Sequence, residues 1–508
     1  MKRFLDKNKK LIFLCILILG VAFFLRIYKL TLLPIFADEA IYIRWAQVMR
    51  AEETLRFLPL SDGKQPLFMW AMIPFLKILS DPLFAGRFLS VVSGLATIVG
   101  VFLSSKLLFK SQKLALVASL IAAISPFLVF FDRMALVDSM LATTAIWTFY
   151  LGALTARTLR LDMAMLTGFA LGAGLLTKSP ALFFAILLPM TILIVKWPSK
   201  KKERLYAAAK FFFLMAVSII IGYGISNILR LGPNFHLLAS RNLDYVYPYT
   251  HLLESPLNPL LPHLNATLGY FWLMGPGALI ALFILGTFYS IKDKPKETLL
   301  VLAWIFFPLL AVTEYAKAFT ARYILYLVPF AAVIAANALR EKKGFAKWIV
   351  EALFIVFILH SLYLDMLLVS EPEKATLPRS ERSGYLEEWT AGTGIKEVSL
   401  YLRDLHTQSP QEKIVVGTEG YFGTLPDGLQ LYLNDVPEIT VIGIGLGIVK
   451  VPTPLEESKE AGNRTFLVVN SSRLSLKPEE EGLTIISAYP KAVQPDGARE
   501  ALLFFEVD

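Results

Sequence analysis

The sequence predicts a polytopic α-helical membrane protein, with about 11 transmembrane helices and a polar α/β domain at its carboxyl end. Three observations carry that expectation. The 508 residues are 56% hydrophobic and only 18% charged, whereas soluble domains carry about a quarter charged residues. Apolar stretches close to the roughly 20 residues that cross a bilayer recur along the first part of the chain. Beyond Leu368 the composition turns polar and charged and stays so.

The apolar spans fall near 11–30, 84–108, 114–131, 134–156, 161–177, 180–197, 207–229, 266–290, 298–314, 321–339 and 347–369. The first follows a basic stretch, as in a signal peptide, but Arg26-Ile27-Tyr28-Lys29 and Pro34 come next instead of a small-residue cleavage site. It reads as a retained helix. Pro66 to Leu79 is apolar but short and interrupted by Pro74 and Lys77, so it is expected to lie in the interface. With that reading the basic runs share one side: Lys2 to Lys10, Lys106 to Lys113, Arg157 to Arg160, Lys196 to Arg204, Lys292 to Lys296 and Arg340 to Lys347. Basic loops stay cytoplasmic, so the amino terminus is expected inside, the carboxyl domain outside, and the protein in the cell membrane. The net charge of +9 is thereby topogenic and gives no reason to expect nucleic acid. The single cysteine, Cys15, excludes intramolecular disulfides.

Residues 1–369 therefore read as the membrane domain, with a first outer loop over 31–83, and 370–508 as an extracytoplasmic α/β domain. In the latter a helical pattern over Gly394 to Thr407 precedes short β-type runs at 413–417, 430–433, 438–443, 464–469, 483–488 and 501–507.

The outer face collects the unusual charges: Asp38 and Glu39, Lys64, Asp132, Arg133, Asp138, Lys178, and the segments 230–265 and 314–323. A charge at mid-helix costs about 2.5–3.5 kcal/mol on insertion scales, so repeated placement on one side calls for a reason. Snorkelling accounts for some of these residues and poorly for Lys178, at the tip of a hairpin whose Gly168, Gly172 and Gly174 read as close helix packing. A positioned carboxylate takes the proton of an attacking hydroxyl. Lys and Arg balance the charge of a leaving phosphate, which needs no acid. A glycoside hydrolase would want a second carboxylate across the sugar; Glu39 is adjacent to Asp38 and points elsewhere on a helix. One base with several cations fits transfer from a sugar phosphate better than hydrolysis. Asp38 also reads as a helix N-cap for Glu39 to Arg50, and Arg133 and Asp138 as a pair across their loop.

Asp38-Glu39-Ala40-Ile41-Tyr42, Lys64-Gln65-Pro66-Leu67 with Trp70, Arg87, Thr177-Lys178 and Arg322-Tyr323 resemble, in that order, the motifs of GT-C glycosyltransferases. The similarity covers roughly residues 10–340 and is greatest to protein O-mannosyltransferases and lipid A aminoarabinose transferases. It implies a polyprenyl-phosphate-linked sugar donor, inverting transfer to a hydroxyl of a protein or glycolipid, and a site at the outer membrane face. By motif position Asp38 would be the base, with Lys64 and Arg322 near the donor phosphate and Lys178 a further cation; Glu39, Arg133 and Asp138 are candidate substrate contacts. The usual Lys-Pro-Pro is here Lys64-Gln65-Pro66, which loosens that turn. Some relatives hold a divalent metal, but His236, His251, His263, His360 and His406 form no cluster in the sequence, so no metal or other cofactor is expected. A transporter or flippase would also be polytopic with intramembrane charges, but would show inverted repeats and broken helices. A surface receptor built on the carboxyl domain is the third reading.

Overall fold

The computed structural model describes residues 2–340 and 345–508, with side chains from residue 9 onward. The basic runs Lys2 to Lys10 and Arg340 to Lys347 lie partly outside the described residues. In chain order the helices are α1 (Lys2–Ile27), α2 (Ala37–Ala51), α3 (Leu67–Ile78), α4 (Pro82–Phe109), α5 (Gln112–Ala123), α6 (Pro126–Phe131) and α7 (Val137–Thr158). There follow α8 (Leu161–Thr177), α9 (Leu182–Leu187), α10 (Lys201–Ser226), α11 (Leu237–Tyr245), α12 (His251–Glu254), α13 (Leu260–Met274) and α14 (Gly277–Asp293). The last are α15 (Pro295–Tyr315), α16 (Val328–Ala335), α17 (Phe345–Ser370), α18 (Arg379–Arg382), α19 (Ile395–Gln408), α20 (Asp427–Tyr432) and α21 (Thr453–Glu460).

Among the described residues, 7 helices are long and apolar enough to cross a membrane, or 8 if one bent pair counts as a span. The protein is therefore a multi-pass membrane protein, with fewer full-length spans than the eleven expected. The difference has identifiable causes. The expected span 266–290 is two helices, α13 and α14, that meet at 109°; Pro276 between them has no N–H to donate, and its ψ of 177° turns the chain out of the helix while Gly275 stays helical. The expected span 114–131 breaks between α5 and α6, where Pro126 opens a new helix. The expected span 180–197 consists of α9 between tight 3-10 turns, with Pro180 and Pro189 at their starts.

The chain forms two compact units. The first comprises Met1–Tyr28, Arg56–Phe68 and Phe88–Pro378. Its core is aromatic: the ring of Trp304 lies 5.1 Å from Phe149 and 5.7 Å from Phe330, and all three are buried. Glycine permits the closest helix approach. A Cβ at Gly168 would lie 2.7 Å from Ile221 and one at Gly172 2.9 Å from Ile225, so α8 packs directly on α10.

Arg26, at the end of α1, is fully buried and donates from Nε to Asp132 at 2.9 Å and from Nη1 to the Ala123 carbonyl at 2.8 Å. A buried guanidinium is tolerable only when its charge and donors are matched in this way. Gly94 leaves the room for it: a Cβ there would fall 2.2 Å from Asp132 Oδ2 and 3.0 Å from Arg26 Nε. Gly94→Ala is therefore expected to lower stability by the roughly 1–3 kcal/mol typical of overpacking, seen as a lower thermal midpoint. An unchanged midpoint would mean that this pair relaxes freely.

The second unit comprises Lys29–Leu55, Met69–Arg87 and Arg379–Asp508. Most of the first outer loop thus shares one compact unit with the carboxyl-terminal residues. Arg44 of α2 donates to Asn434 Oδ1 at 2.6 Å, and Gln47 Nε2 to the Leu431 carbonyl at 2.9 Å. Five strands, β1 (Ile414–Thr418), β2 (Ile439–Gly443), β3 (Arg464–Asn470), β4 (Leu483–Pro490) and β5 (Ala501–Val507), form one mixed sheet in the order β2-β1-β3-β5-β4. The first three run parallel, and β5 joins β3 and β4 antiparallel. Leu455, Leu467, Val469 and Phe505 belong to its buried apolar core. The run 430–433, expected as a strand, belongs to α20 and its end; four apolar-rich residues do not distinguish the two periods, and Pro426 with Asp427 starts a helix. At the carboxyl ends of β1 and β3 both Glu419 oxygens accept from Asn470 at 2.7 Å. Lys491 reaches Asn470 Oδ1 at 2.5 Å. Burial pushes this lysine down to about 8 against the pull of Glu500 and Glu419.

Candidate active site

The Asp38-Glu39 pair sits on the first turn of α2, in the second unit. Phe36, extended at φ −96° and ψ 153°, is the N-cap, and its N–H donates to Glu39 Oε2 at 3.0 Å. Glu39 thus caps the helix in a reciprocal-box position, and Asp38 is not the cap that the sequence allowed. Glu39 is fully buried against Arg87, which donates to Oε1 at 2.8 Å and to Oε2 at 2.7 Å. The remaining Arg87 donors take the carbonyls of Leu30 and Leu33 at 2.9 Å and of Pro34 at 3.0 Å. The turn entering α2 is wrapped around one guanidinium. It is held from outside by Ala37 N–H to the Thr390 carbonyl at 3.1 Å and Gly392 N–H to the Ile35 carbonyl at 2.7 Å. Asp38 is partly exposed on this fixed turn, and successive helical residues point about 100° apart, so it faces away from Glu39.

The cations are in the first unit. Gly63 adopts the left-handed conformation at φ 65°, and a Cβ there would lie 2.9 Å from the Leu237 carbonyl. This turn delivers Lys64 beside α11. Asp62 pairs with Lys64 at 3.6 Å and with Arg241 at 2.6 Å, and the Lys64 ammonium stands 5.4 Å from the Tyr245 ring centre. Gln65, where the resembled motif has proline, donates to Ser179 Oγ at 2.9 Å and so ties the turn to the residue after Lys178. Lys178 ends α8, pairs with Asp138 at 2.6 Å, and lies 4.8 Å from the Tyr323 ring centre. The Arg322 guanidinium lies 5.6 Å from the same ring. Lys64 and Arg241 thus share Asp62, Lys178 and Arg322 stand at the Tyr323 ring, and the Gln65–Ser179 bond links the two pairs through their neighbours.

Lys64, Lys178 and Arg322 were singled out by the sequence; Arg241 was not. Its sequence signal is only that of one of two arginines, with Arg230, in the long segment 230–265, and its partner Asp62 lies far back in the chain.

Glu39, Arg133 and Asp138, expected as substrate contacts, are placed in framework contacts. All three are buried. Arg133 donates to the carbonyls of Leu25, Arg26 and Tyr28 at 2.8–3.1 Å, satisfying the orphan acceptors at the end of α1. Asp138 holds Lys178. Among the described residues no three His, Cys, Asp or Glu side chains converge in metal-binding geometry.

Residues 63–223 match the family model for dolichyl-phosphate-mannose-protein mannosyltransferases. The fold resembles that of ArnT from Cupriavidus metallidurans bound to undecaprenyl phosphate, with a TM-score of 0.58 and 14% identity over 96% of this chain and 97% of that one. Its apo state gives 0.58 with 13% identity, over 99% and 98%. The archaeal oligosaccharyltransferase AglB from Archaeoglobus fulgidus, in complex with an inhibitory peptide and a dolichol-phosphate, gives 0.50 with 12% identity, over 97% of this chain and 74% of that one. No curated protein matches the chain in sequence. The likeness to ArnT extends over nearly the whole of both chains, so the fold is of that kind. Within it, residues 63–223 carry the mannosyltransferase family pattern.

Proposed function

We propose that the protein transfers a sugar from a polyprenyl-phosphate carrier to an acceptor hydroxyl, of a protein or a glycolipid, at the outer face of the cell membrane. The observation that carries this reading is the gathering of Lys64, Lys178, Arg241 and Arg322 in one unit. A cluster of that charge suits a leaving phosphate. Asp38 takes the acceptor proton as the hydroxyl oxygen attacks the anomeric carbon. The bond from that carbon to the phosphate oxygen breaks on the opposite face, so configuration inverts, and polyprenyl phosphate departs with the bonding electrons. Glu39, Arg133 and Asp138 act by holding Arg87, α1 and Lys178 in place. The solved relatives named above, with undecaprenyl phosphate or dolichol-phosphate bound, support a lipid phosphate as donor carrier. For topology, the breaks at α5–α6 and α13–α14 and the shortness of α8 and of α9 with its 3-10 turns still permit eleven crossings, with the amino terminus cytoplasmic and the carboxyl-terminal residues outside.

Lys64→Gln, Arg241→Gln and Arg322→Gln test the donor assignment. Each removes charged hydrogen bonds worth about 1.5–3 kcal/mol. Donor affinity is expected to fall roughly tenfold to 100-fold, with acceptor affinity unchanged, in titrations of purified protein. Equal loss for both substrates, or no loss, would take these residues out of the phosphate site.

A further inference from the structure

The segment from Tyr245 to Leu261 is an ordered loop that holds large apolar side chains outward. His251 stacks on Tyr247 at 4.1 Å between ring centres, and its Nε2 lies 2.7 Å from the Asn258 carbonyl. The Tyr247 N–H donates to the Tyr315 carbonyl, the Lys317 N–H to the Tyr245 carbonyl, and the Lys317 ammonium to the Leu243 carbonyl. The loop thus closes on itself through these contacts. Outward it presents Tyr249, 83% exposed, Leu253, 85% exposed, and Leu252 and Leu257 beside them. Several large apolar side chains held out by one ordered loop call for a partner.

We infer that this segment is an interfacial anchor, docked in the headgroup layer of the lipid bilayer. Continuity identifies the occupant. The segment follows α11, downstream of the membrane span Lys201–Leu231 with its exposed Phe213 and Ile220, and enters α13, whose Leu261, Leu268 and Trp272 are exposed. Tyr245, Tyr247 and Tyr249 supply the amphipathic rings that favour the membrane–water boundary. Lys317 reaches alongside them as a snorkelling cation. Glu254, exposed beside Leu253, keeps the segment at headgroup depth. A protein partner fits less well, because a standard interface engages about 20–30 residues a side, far beyond this patch. The anchor continues directly from α11, so it holds Arg241 at the level of the lipid headgroups.

Cys15 is the only cysteine, so Cys15→Ser gives a clean background for single labels. Leu253→Cys and Leu257→Cys would carry a nitroxide, with exposed Glu479→Cys as the aqueous control, in phosphatidylcholine–phosphatidylglycerol nanodiscs. Power saturation is expected to show oxygen accessibility above that of a water-soluble nickel chelate at 253 and 257, with the reverse at 479. Nickel accessibility at 253 equal to that at 479 would overturn the inference. So would dipolar broadening at 253, which would report a second copy of the chain. Neither readout depends on the reaction assigned above.

Discussion

Asp38→Asn is expected to lower turnover by about 100-fold to 10,000-fold, the range for losing a general base, while fold and donor binding persist. The structure sharpens this expectation. The N-cap of α2 is Phe36, and Glu39 completes the cap, so the amide at position 38 replaces no capping group. What Asp38 contributes as a charge on the first helical turn is about 0.3–1 kcal/mol, a minor change in thermal midpoint. Asp38→Ala should match Asp38→Asn in lost turnover. Purified protein in nanodiscs, a polyprenyl-phosphate sugar and a thermal-shift measurement test this directly. A stable Asp38→Asn protein that binds donor and transfers at close to the wild-type rate would sink the assignment. A large loss of stability in Asp38→Asn would instead make this carboxylate part of the framework.

Periodicity and composition made much of the fold readable, and they ran out where the chain departs from regular geometry. The helix expected over Gly394 to Thr407 appears as Ile395–Gln408, because an amphipathic stretch of that length admits one period. Eleven straight spans were too many: Pro126, Pro180, Pro189 and Pro276 divide apolar runs whose hydropathy alone is continuous. At the site, Lys64, Lys178 and Arg322 stood out through the ordered short motifs that resemble those of GT-C glycosyltransferases, which a lone Lys or Arg would not have done. Arg241 was not, since its partner Asp62 lies 179 residues away and only tertiary structure joins them. The Asp38-Glu39 pair looked like two functional acids. That Glu39 belongs to the framework follows from Arg87, a fully buried guanidinium near the start of α4 that had to find an anion.

The second large effect is therefore structural. Arg87→Met would leave the fully buried Glu39 carboxylate without its partner, and breaking such a pair costs roughly 3–5 kcal/mol. A domain is stable by only about 5–15 kcal/mol, so the variant is expected to lose much of its folded yield and melt far below the wild type. Arg87→Lys keeps the charge but lacks the fork of donors that reaches Glu39 and three carbonyls together; it should fall between. The decisive variant is the double one, Glu39→Met with Arg87→Met. Removing both charges removes the desolvation problem, so stability should recover most of the way. Recovery should stop short, because the carbonyls of Leu30, Leu33 and Pro34 still lack their donor and an unsatisfied buried group costs about 1–3 kcal/mol. A double-mutant cycle on thermal midpoints then gives a coupling that a substrate contact would not show. If Arg87→Met instead melts like wild type and loses donor affinity, Arg87 is a ligand of the phosphate and not the centre of the turn that carries Asp38.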